Sequence, residues 1–344
     1  SGPAGGVVGA VRAAAEVGFA KVIGFDMGGT STDVCHYDGA YERAFDTVVA
    51  GVRMRAPMMR VHTVAAGGGS ICLFDGVKFR VGPDSAGADP GPACYRRGGP
   101  LTVTDCNVLV GRLQPQYFPA LFGAQGDQPL DAEAVKARFA RLTMEVETAT
   151  RRKMTPEDAA EGFLRIAVEN MADAIKKISI QRGYDLTDYV LNGFGGAAGQ
   201  LVCRVADALG MRKVLLHPFA GVLSAYGIGL ADVTAMRERA VEAPLAADFL
   251  PDLQEIVSAL ADEARGEVLR QGVDAAEIAV SASLMLKVEG SDAALSIGWA
   301  PGGDGLAAML AEFAEAHRRR FGFVMGGRRV MVEAVSVEAA GKGA

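Results

Sequence analysis

The sequence has no excess of positive charge, no paired cysteine motif and no clean apolar run of membrane-spanning character, and each absence removes a class of function. Its 344 residues carry a formal net charge of -6, so the basic footprint of a nucleic-acid-binding domain is missing. Five cysteines, Cys35, Cys72, Cys94, Cys106 and Cys203, form no CxxC pair and are odd in number. They indicate neither a zinc knuckle nor a disulfide scaffold, and point to the reducing cytosol. The apolar N-terminus is interrupted by Arg12, Glu16 and Lys21 and has no basic leader, unlike a signal peptide. The apolar stretch from Val214 to Ala231 contains His217, Pro218, Gly221, Gly227 and Gly229, which makes it a poor membrane span. Repeats, coiled coils and low-complexity tracts are absent. The first residue is Ser1, with no room for a strand before the first helix, so a fragment of a longer protein is expected.

What is present is a globular composition, 50% hydrophobic and 22% charged, long enough for one large or two ordinary domains. Glycine is abundant, at 44 residues, and its clustering draws attention to loops. Ser1 to Gly6 reads as a loop leading into a helix over Val7 to Glu16. Lys21 to Phe25 then reads as a buried strand that delivers Asp26 to its end, followed by the small-residue turn Gly28-Gly29-Thr30-Ser31-Thr32 before Asp33. Such a turn can present successive backbone N–H groups to a phosphate, with hydroxyls as further donors and Asp26 facing magnesium or a metal-bound water. No Gly-Lys-Ser/Thr follows, so this is not a P-loop, and no third glycine opens a helix, so it is not a dinucleotide fingerprint. A hairpin with a polar turn is the plain alternative.

Asp38-Gly39 predicts a second turn, with Ala40 to Phe45 returning as the third strand of a meander. Met54 to Arg60 reads as an irregular or extended connection. Val61 to Ala66 is a short strand ending in Gly67-Gly68-Gly69-Ser70, which implies close backbone approach to something or a flexible bend. His62 in that strand is a structural residue or a titrating one. Gly82 to Tyr95 is a long run of turn formers stiffened by prolines, whose Asp84 and Asp89 could contact metal or substrate or simply cap turns. Cys94 in that run lacks an assignable base. Leu101 to Asp105 begins like a strand, and Asp105 reads as the N-cap of a helix reaching Arg112. Asp131 opens a helix to about Leu142. Thr155-Pro156-Glu157-Asp158 opens another, with Phe163, Ala167, Met171, Ala174 and Ile178 at three- and four-residue spacing. The second glycine loop, Gly193, Gly195 and Gly196, lies between a strand and a helix followed by another strand. That is a parallel βαβ pattern whose strand ends are the default ligand site. Beyond it, 236–244 reads as a linker or crossover strand. Helices are predicted near 248–271 and 305–320, strands near 280–288, 293–299 and 330–337. The cluster His317 to Arg320 reads as the cationic end of a helix rather than a phosphate site.

Two glycine loops on an α/β chain, one preceded by Asp and followed by Thr-Ser-Thr-Asp, resemble the actin, Hsp70 and sugar-kinase (ribonuclease H-like) ATPase superfamily. At closer range the chain is similar to the hydantoinase A/oxoprolinase family. The residues that carry this are Ser1 to Gly6, Gly24 to Val34, Thr63 to Ser70, Val81 to Tyr95, Thr102 to Asp105, Phe194 to Ala197 and Ala220 to Ala225. His217 to Asp232, Leu286 to Leu295 and Phe321 to Phe323 look more like the 5-oxoprolinase branch than the hydantoinase or carboxylase branches. One departure is Gly196-Ala-Ala-Gly-Gln200, where the family usually continues Gly-Ala-Gly-Pro. The resemblance implies an ATPase domain over 1–235, half of a nucleotide clamp, and a smaller α+β region over 236–344. It implies ATP and Mg2+ as cofactors, with phosphate at Gly28, Gly29, Thr30, Ser31 and Thr32, Asp26 and Asp33 as catalytic carboxylates with Asp26 on the metal, and the nucleoside at Gly195 and Gly196. His62, Gly68, Gly69, Ser70, Asp84 and Asp89 are then candidate substrate or partner contacts. A hydantoinase B-like partner, a further N-terminal hydantoinase A domain and a small cyclic amide substrate are also implied, without nucleic acid or membrane; homo-oligomerisation is left open. The implied reaction of the intact protein is ATP-coupled opening of a cyclic amide, 5-oxoproline giving glutamate. A hydantoinase or carboxylase subunit and a non-catalytic nucleotide- or partner-binding module are the alternatives, and the isolated chain is expected to be inactive.

Overall fold

The computed structural model describes residues 2–49, 52–302, 304–323 and 327–342, with 44–49 and 52–57 described in backbone alone; Ser1 lies outside the described residues. Contacts divide the chain into two units, Ser1–Gln181 with Asp185–Leu230, and Arg182–Tyr184 with Ala231–Ala344.

The first unit runs α1 (Gly2–Glu16), β1 (Lys21–Met27), β2 (Thr32–Asp38), β3 (Arg43–Val49), β4 (Val52–Met59), β5 (His62–Val64), β6 (Ser70–Phe74), β7 (Phe79–Ser85), α2 (Val103–Leu109), α3 (Ala132–Thr150), α4 (Pro156–Ile178), β8 (Val190–Phe194), α5 (Val202–Leu209), β9 (Val214–Leu215) and α6 (Leu223–Gly229). Its main sheet has the order β5-β2-β1-β8-β9. β1, β8 and β9 are parallel, while β2 and β5 each run antiparallel to their neighbour. β1 is apolar on both faces because both are covered: Val22, Ile23, Phe25 and Met27 are all buried. On one face Val22 and Val190 pack on Ala14 of α1, and Phe194 packs on Ala10 and Ala13. The buried Asn192 amide donates to the Ala10 carbonyl at 2.9 Å on that same face. On the other face, α5 sets Val202 against Gly193. α4 begins at a Thr155–Asp158 capping box with Pro156 at N1, and all five of its expected apolar positions are buried.

Several expectations are corrected. Gly2 to Gly6 is helical rather than a loop; close packing of its glycine face outweighs glycine's poor helix propensity. The meander does not form: after one bridge, Tyr37 to Tyr41, the chain leaves the sheet, β3 pairs with β4, and β5 takes the place beside β2. Met54 to Arg60, expected as a connection, largely belongs to β4. β7 runs through Gly82 to Ser85, so the irregular run starts later than expected. Leu101 to Asp105 is not a strand. Thr102 is the N-cap of α2 and Asp105 its N3 partner in a capping box. α3 passes Leu142 to Thr150 because Val146 continues its buried stripe.

The second unit contains β10 (Val233–Pro244), α7 (Leu250–Arg270), β11 (Ala279–Val288), β12 (Leu295–Gly298), α8 (Gly305–Phe321) and β13 (Val330–Gly341). Its antiparallel sheet has the order β10-β13-β11-β12. The 236–244 segment is therefore an edge strand. Leu253, Val257 and Leu260 of α7, with Met309 and Phe313 of α8, close a core over Leu284, Leu286, Ile297, Val332 and Val335. His317 is buried and its Nδ1 bonds the Phe323 carbonyl at 2.8 Å, so it serves the helix end rather than an anion. Among the described residues, no helix is long and apolar enough to cross a membrane.

Candidate functional site

The carboxyl ends of β1, β8 and β9 deliver three loops to one edge of the sheet, and hydrogen bonds tie them together. Ala197 N–H donates to the Met27 carbonyl at 2.9 Å, and Gly195 N–H donates to Ala220 O at 2.9 Å. Gly195 has φ +87 and its missing Cβ would fall on the Asp26 carboxylate and the Met27 carbonyl. Only glycine fits there, on both conformation and space. Asp26 lies opposite Asp33 across the β1–β2 pair, so the two carboxylates share a sheet face. Burial pushes the Asp26 carboxyl above its usual range, the Ser224 hydroxyl donating to Oδ2 at 3.1 Å opposes that, and the charge of Asp33 adds to the upward push. Asp33 in turn accepts from the Thr63 hydroxyl at 2.5 Å.

The third glycine cluster explains the shape of the first. Gly68 N–H donates to Gly28 O at 3.0 Å and Gly69 N–H to Gly29 O at 2.6 Å. The remaining polar groups of Gly67 to Gly69 are also satisfied within the protein. Gly67 bonds both ways with Ser70, Gly68 O accepts from the Thr104 N–H and hydroxyl, and Gly69 O accepts from Ala86 N–H. These loops touch backbone to backbone: a Cβ on Gly67 would sit 2.8 Å from Gly28 O, and one on Gly69 would sit 2.9 Å from Gly29 O. Both peptide bonds from Gly28 to Thr30 are trans, as the only cis bonds among the described residues are Gly82-Pro83 and Asp89-Pro90. In a trans peptide the C=O and N–H point in opposite directions. Clamping the carbonyls of Gly28 and Gly29 inward therefore aims the N–H groups of Gly29 and Thr30 away from the clamp, at the exposed apex of the turn.

This geometry redistributes the expected roles. Gly68, Gly69 and Ser70 are buried and are hydrogen-bonded within the protein, where they shape the first loop. Thr32 is fully buried and its hydroxyl donates to Ala66 O at 2.5 Å, which pins β2 and leaves Thr30 and Ser31 as the hydroxyls near the apex. His62 pairs with Val34, on the sheet face opposite the Asp33–Thr63 contact. Asp84 and Asp89 are exposed on the Gly82 to Tyr95 segment, and neither is hydrogen-bonded to the glycine loops among the described residues. That segment is anchored by Asp105, whose buried carboxylate accepts from the N–H groups of Ala93, Cys94 and Thr102 and from the Thr102 hydroxyl at 2.8 to 3.0 Å. Cys94 is fully buried, and that burial pushes its thiol up while the adjacent Asp105 pushes it further, unlike the exposed, low-pKa setting of a reactive cysteine.

A family profile described as hydantoinase/oxoprolinase matches residues 1–237. The chain belongs to that family. A 5-oxoprolinase from Dictyostelium discoideum is 39% identical over 360 residues, covering 100% of this chain and 28% of that protein. The crystal structure of an ATP-dependent caprolactamase from Pseudomonas jessenii superposes with a TM-score of 0.86 at 29% identity, covering 98% of this chain and 49% of that one. A nucleotide-free acetone carboxylase structure, at a TM-score of 0.67 and 22% identity over 99% of this chain and 49% of that one, shares the fold. The chain spans about a quarter of the length of the curated 5-oxoprolinases it matches. Seen as a hydantoinase/oxoprolinase chain, its sequence words acquire separate physical tasks. Gly24 to Val34 makes the apex, Thr63 to Ser70 clamps it, Thr102 to Asp105 anchors clamp and long loop together, and Ala220 to Ala225 brings Ser224 to Asp26. Thr63, Thr104 and Ser224 were not singled out as site residues, although each lies within one of those words.

Proposed function

We propose that this chain forms one jaw of the nucleotide site of an ATP-dependent cyclic amide hydrolase with an actin-like, two-domain cleft, and that its first unit holds the phosphates. The observation that carries this reading is the outward aim of the Gly29 and Thr30 N–H groups at the end of β1, beside Asp26. Successive N–H donors fixed by a rigid backbone clamp can bind phosphate oxygens without reorganising. Magnesium fits the donors present. It is usually held by one or two carboxylates plus substrate phosphates rather than by an all-protein cage. Asp26 and Asp33 supply such a pair, and no cluster of three or more metal-ligating side chains exists among the described residues.

ATP, when bound, would supply a γ-phosphoryl group for the resonance-stabilised amide oxygen with release of ADP, opening the amide carbon to water so that the ring C–N bond breaks and phosphate is released, and magnesium would offset phosphate charge. This chain's own residues bind and orient. Gly29 to Ser31 cradle phosphate, the expected Gly28 donor being spent on the Ser31 carbonyl at 3.0 Å, Asp26 with Asp33 hold the cation, and Gly195 and Gly196 allow the nucleoside to lie close to backbone. We assign the exposed Asp84 and Asp89 to contacts with the substrate or with a hydantoinase B-like partner, and a cyclic amide of the 5-oxoproline kind to the substrate, in line with the names of the relatives. The test is ADP release by the intact protein with its partner, in the presence of 5-oxoproline, caprolactam, a hydantoin, or acetone with bicarbonate. Release stimulated by a lactam and abolished in Asp26→Ala is expected. Turnover of ATP indifferent to every cyclic amide, or an Asp26→Ala variant with wild-type magnesium dependence, overturns the reading.

A further inference from the structure

A carboxylate at a strand end can hold a cation in a fixed place only when its own orientation is fixed. Two neighbours hold Asp26: Oδ1 lies against the Gly195 backbone, in the space a side chain there would fill, and Oδ2 accepts from Ser224 Oγ at 3.1 Å. Ser224 is 198 positions away, on the second residue of a seven-residue helix that has no side-chain cap. Something else must set the placement of that helix. It is α1. A Cβ on Gly227 would collide with Gly5 O and Gly9 N, one on Gly5 with Ser224 O, and one on Gly9 with Leu223 O at 2.5 Å. Gly6 leaves room for the serine hydroxyl itself, which would lie 3.1 Å from its Cβ. Leu223, almost wholly buried, inserts among Ala10, Ala13 and Phe194. The two helices thus meet backbone to backbone on both sides of Ser224, and α1 is in turn bonded to the sheet through Asn192. Backbone contacts of this kind have no soft side chain to absorb error, so the crossing fixes how far the hydroxyl reaches.

We propose that Ser224 is a positioning residue for Asp26, and that the glycine-to-glycine crossing of α1 and α6 holds its hydroxyl against the carboxylate. The proposal rests on the reading of Asp26 as the cation-side carboxylate. Groups that orient a metal-binding side chain without touching the metal typically matter by about tenfold or more in metal affinity.

The experiment measures Mn2+ affinity by electron paramagnetic resonance with a non-hydrolysable ATP analogue on the intact protein, the analogue's affinity in EDTA, and the melting temperature. Wild type is compared with Asp26→Ala, Ser224→Ala, Ser224→Thr and Gly227→Ala. Ser224→Ala is expected to weaken Mn2+ by roughly tenfold while leaving metal-free analogue affinity unchanged. Ser224→Thr, which keeps the hydroxyl, restores Mn2+ affinity, and Gly227→Ala reproduces the loss. If Asp26→Ala loses Mn2+ and Ser224→Ala does not, the positioning role is wrong while the Asp26 assignment stands. If Asp26→Ala itself keeps Mn2+, that assignment fails and takes the positioning role with it. A Ser224→Ala protein that loses metal-free binding and melting temperature together has a merely structural defect, which also overturns the proposal. Wild-type Mn2+ affinity in Gly227→Ala overturns the part assigned to the crossing.

Discussion

Gly67, Gly68 and Gly69 are needed for what they touch, because none of the three adopts a left-handed φ. The atoms that a new Cβ would meet at Gly67 and Gly69 are backbone oxygens of Gly28 and Gly29, which cannot swing aside like the tip of a long side chain. Gly67→Ala and Gly69→Ala should therefore displace the apex itself. We expect each to lower stability by about 1–3 kcal/mol, the range for overpacking, and to lose nucleotide affinity. Gly29→Ala is the control, since nothing lies within 4 Å of its would-be Cβ. It should leave the urea midpoint unchanged. Urea denaturation combined with titration of a fluorescent ATP analogue checks both, and a Gly67→Ala protein with wild-type values would contradict the clamp.

At the scale of elements, the β6–β7 hairpin carries a charge whose effect on stability has a definite sign. Asp75 accepts the Lys78 N–H at 2.9 Å, the Arg80 guanidinium and the Val77 N–H at 3.0 Å, and these hold its pKa down, to about 2. The folded value lies below the unfolded value of about 3.9. Its stabilisation is thus present above the unfolded value and disappears as pH falls through about 2. The stability gap between wild type and Asp75→Asn should be widest near neutrality and close in acid; thermal denaturation across pH checks this, and a gap that widens in acid would contradict it. Asp75-Gly76 between Ile71 and Val81 is a hairpin signal in the sequence, so this hairpin was legible, and so was α4, because cap, proline and apolar spacing are all written within one element. The β1 strand end and the turn that follows it were legible for the same local reason. Pairings between distant segments were not. The Asp38-Gly39 turn before Ala40 to Phe45 signals a returning strand but not that β5, through Thr63 and Val64, takes the place beside β2. Gly67 to Gly69 announced a close approach without naming Gly28 and Gly29 as what is approached. Ser224 gave no local signal for Asp26, because only the folded crossing of α1 and α6 brings them together.

Across the whole chain, five free cysteines are distributed unevenly: Cys203 on α5 is exposed and the other four are buried. Burial raises Cys35 to about 12, and the thiols of Cys72 and Cys106 are hydrogen-bonded at 3.8 Å between sulfurs without a disulfide. Titration with a disulfide reagent at mild alkaline pH should count one fast thiol in the native chain and five in denaturant, and a second fast native thiol would show that the buried set is reachable. The clamp has a further consequence for the way occupancy of the whole chain can be read. In deuterium labelling, the amide protons of Gly68 and Gly69 are locked onto carbonyls beneath the apex and should exchange slowly whether or not nucleotide is bound. Those of Gly29 and Thr30, projecting from the same two peptide planes, should exchange rapidly until an anion captures them. Neighbouring amides on opposite sides of one joint thus supply both a reference clock and a gauge of occupancy within a single peptide map.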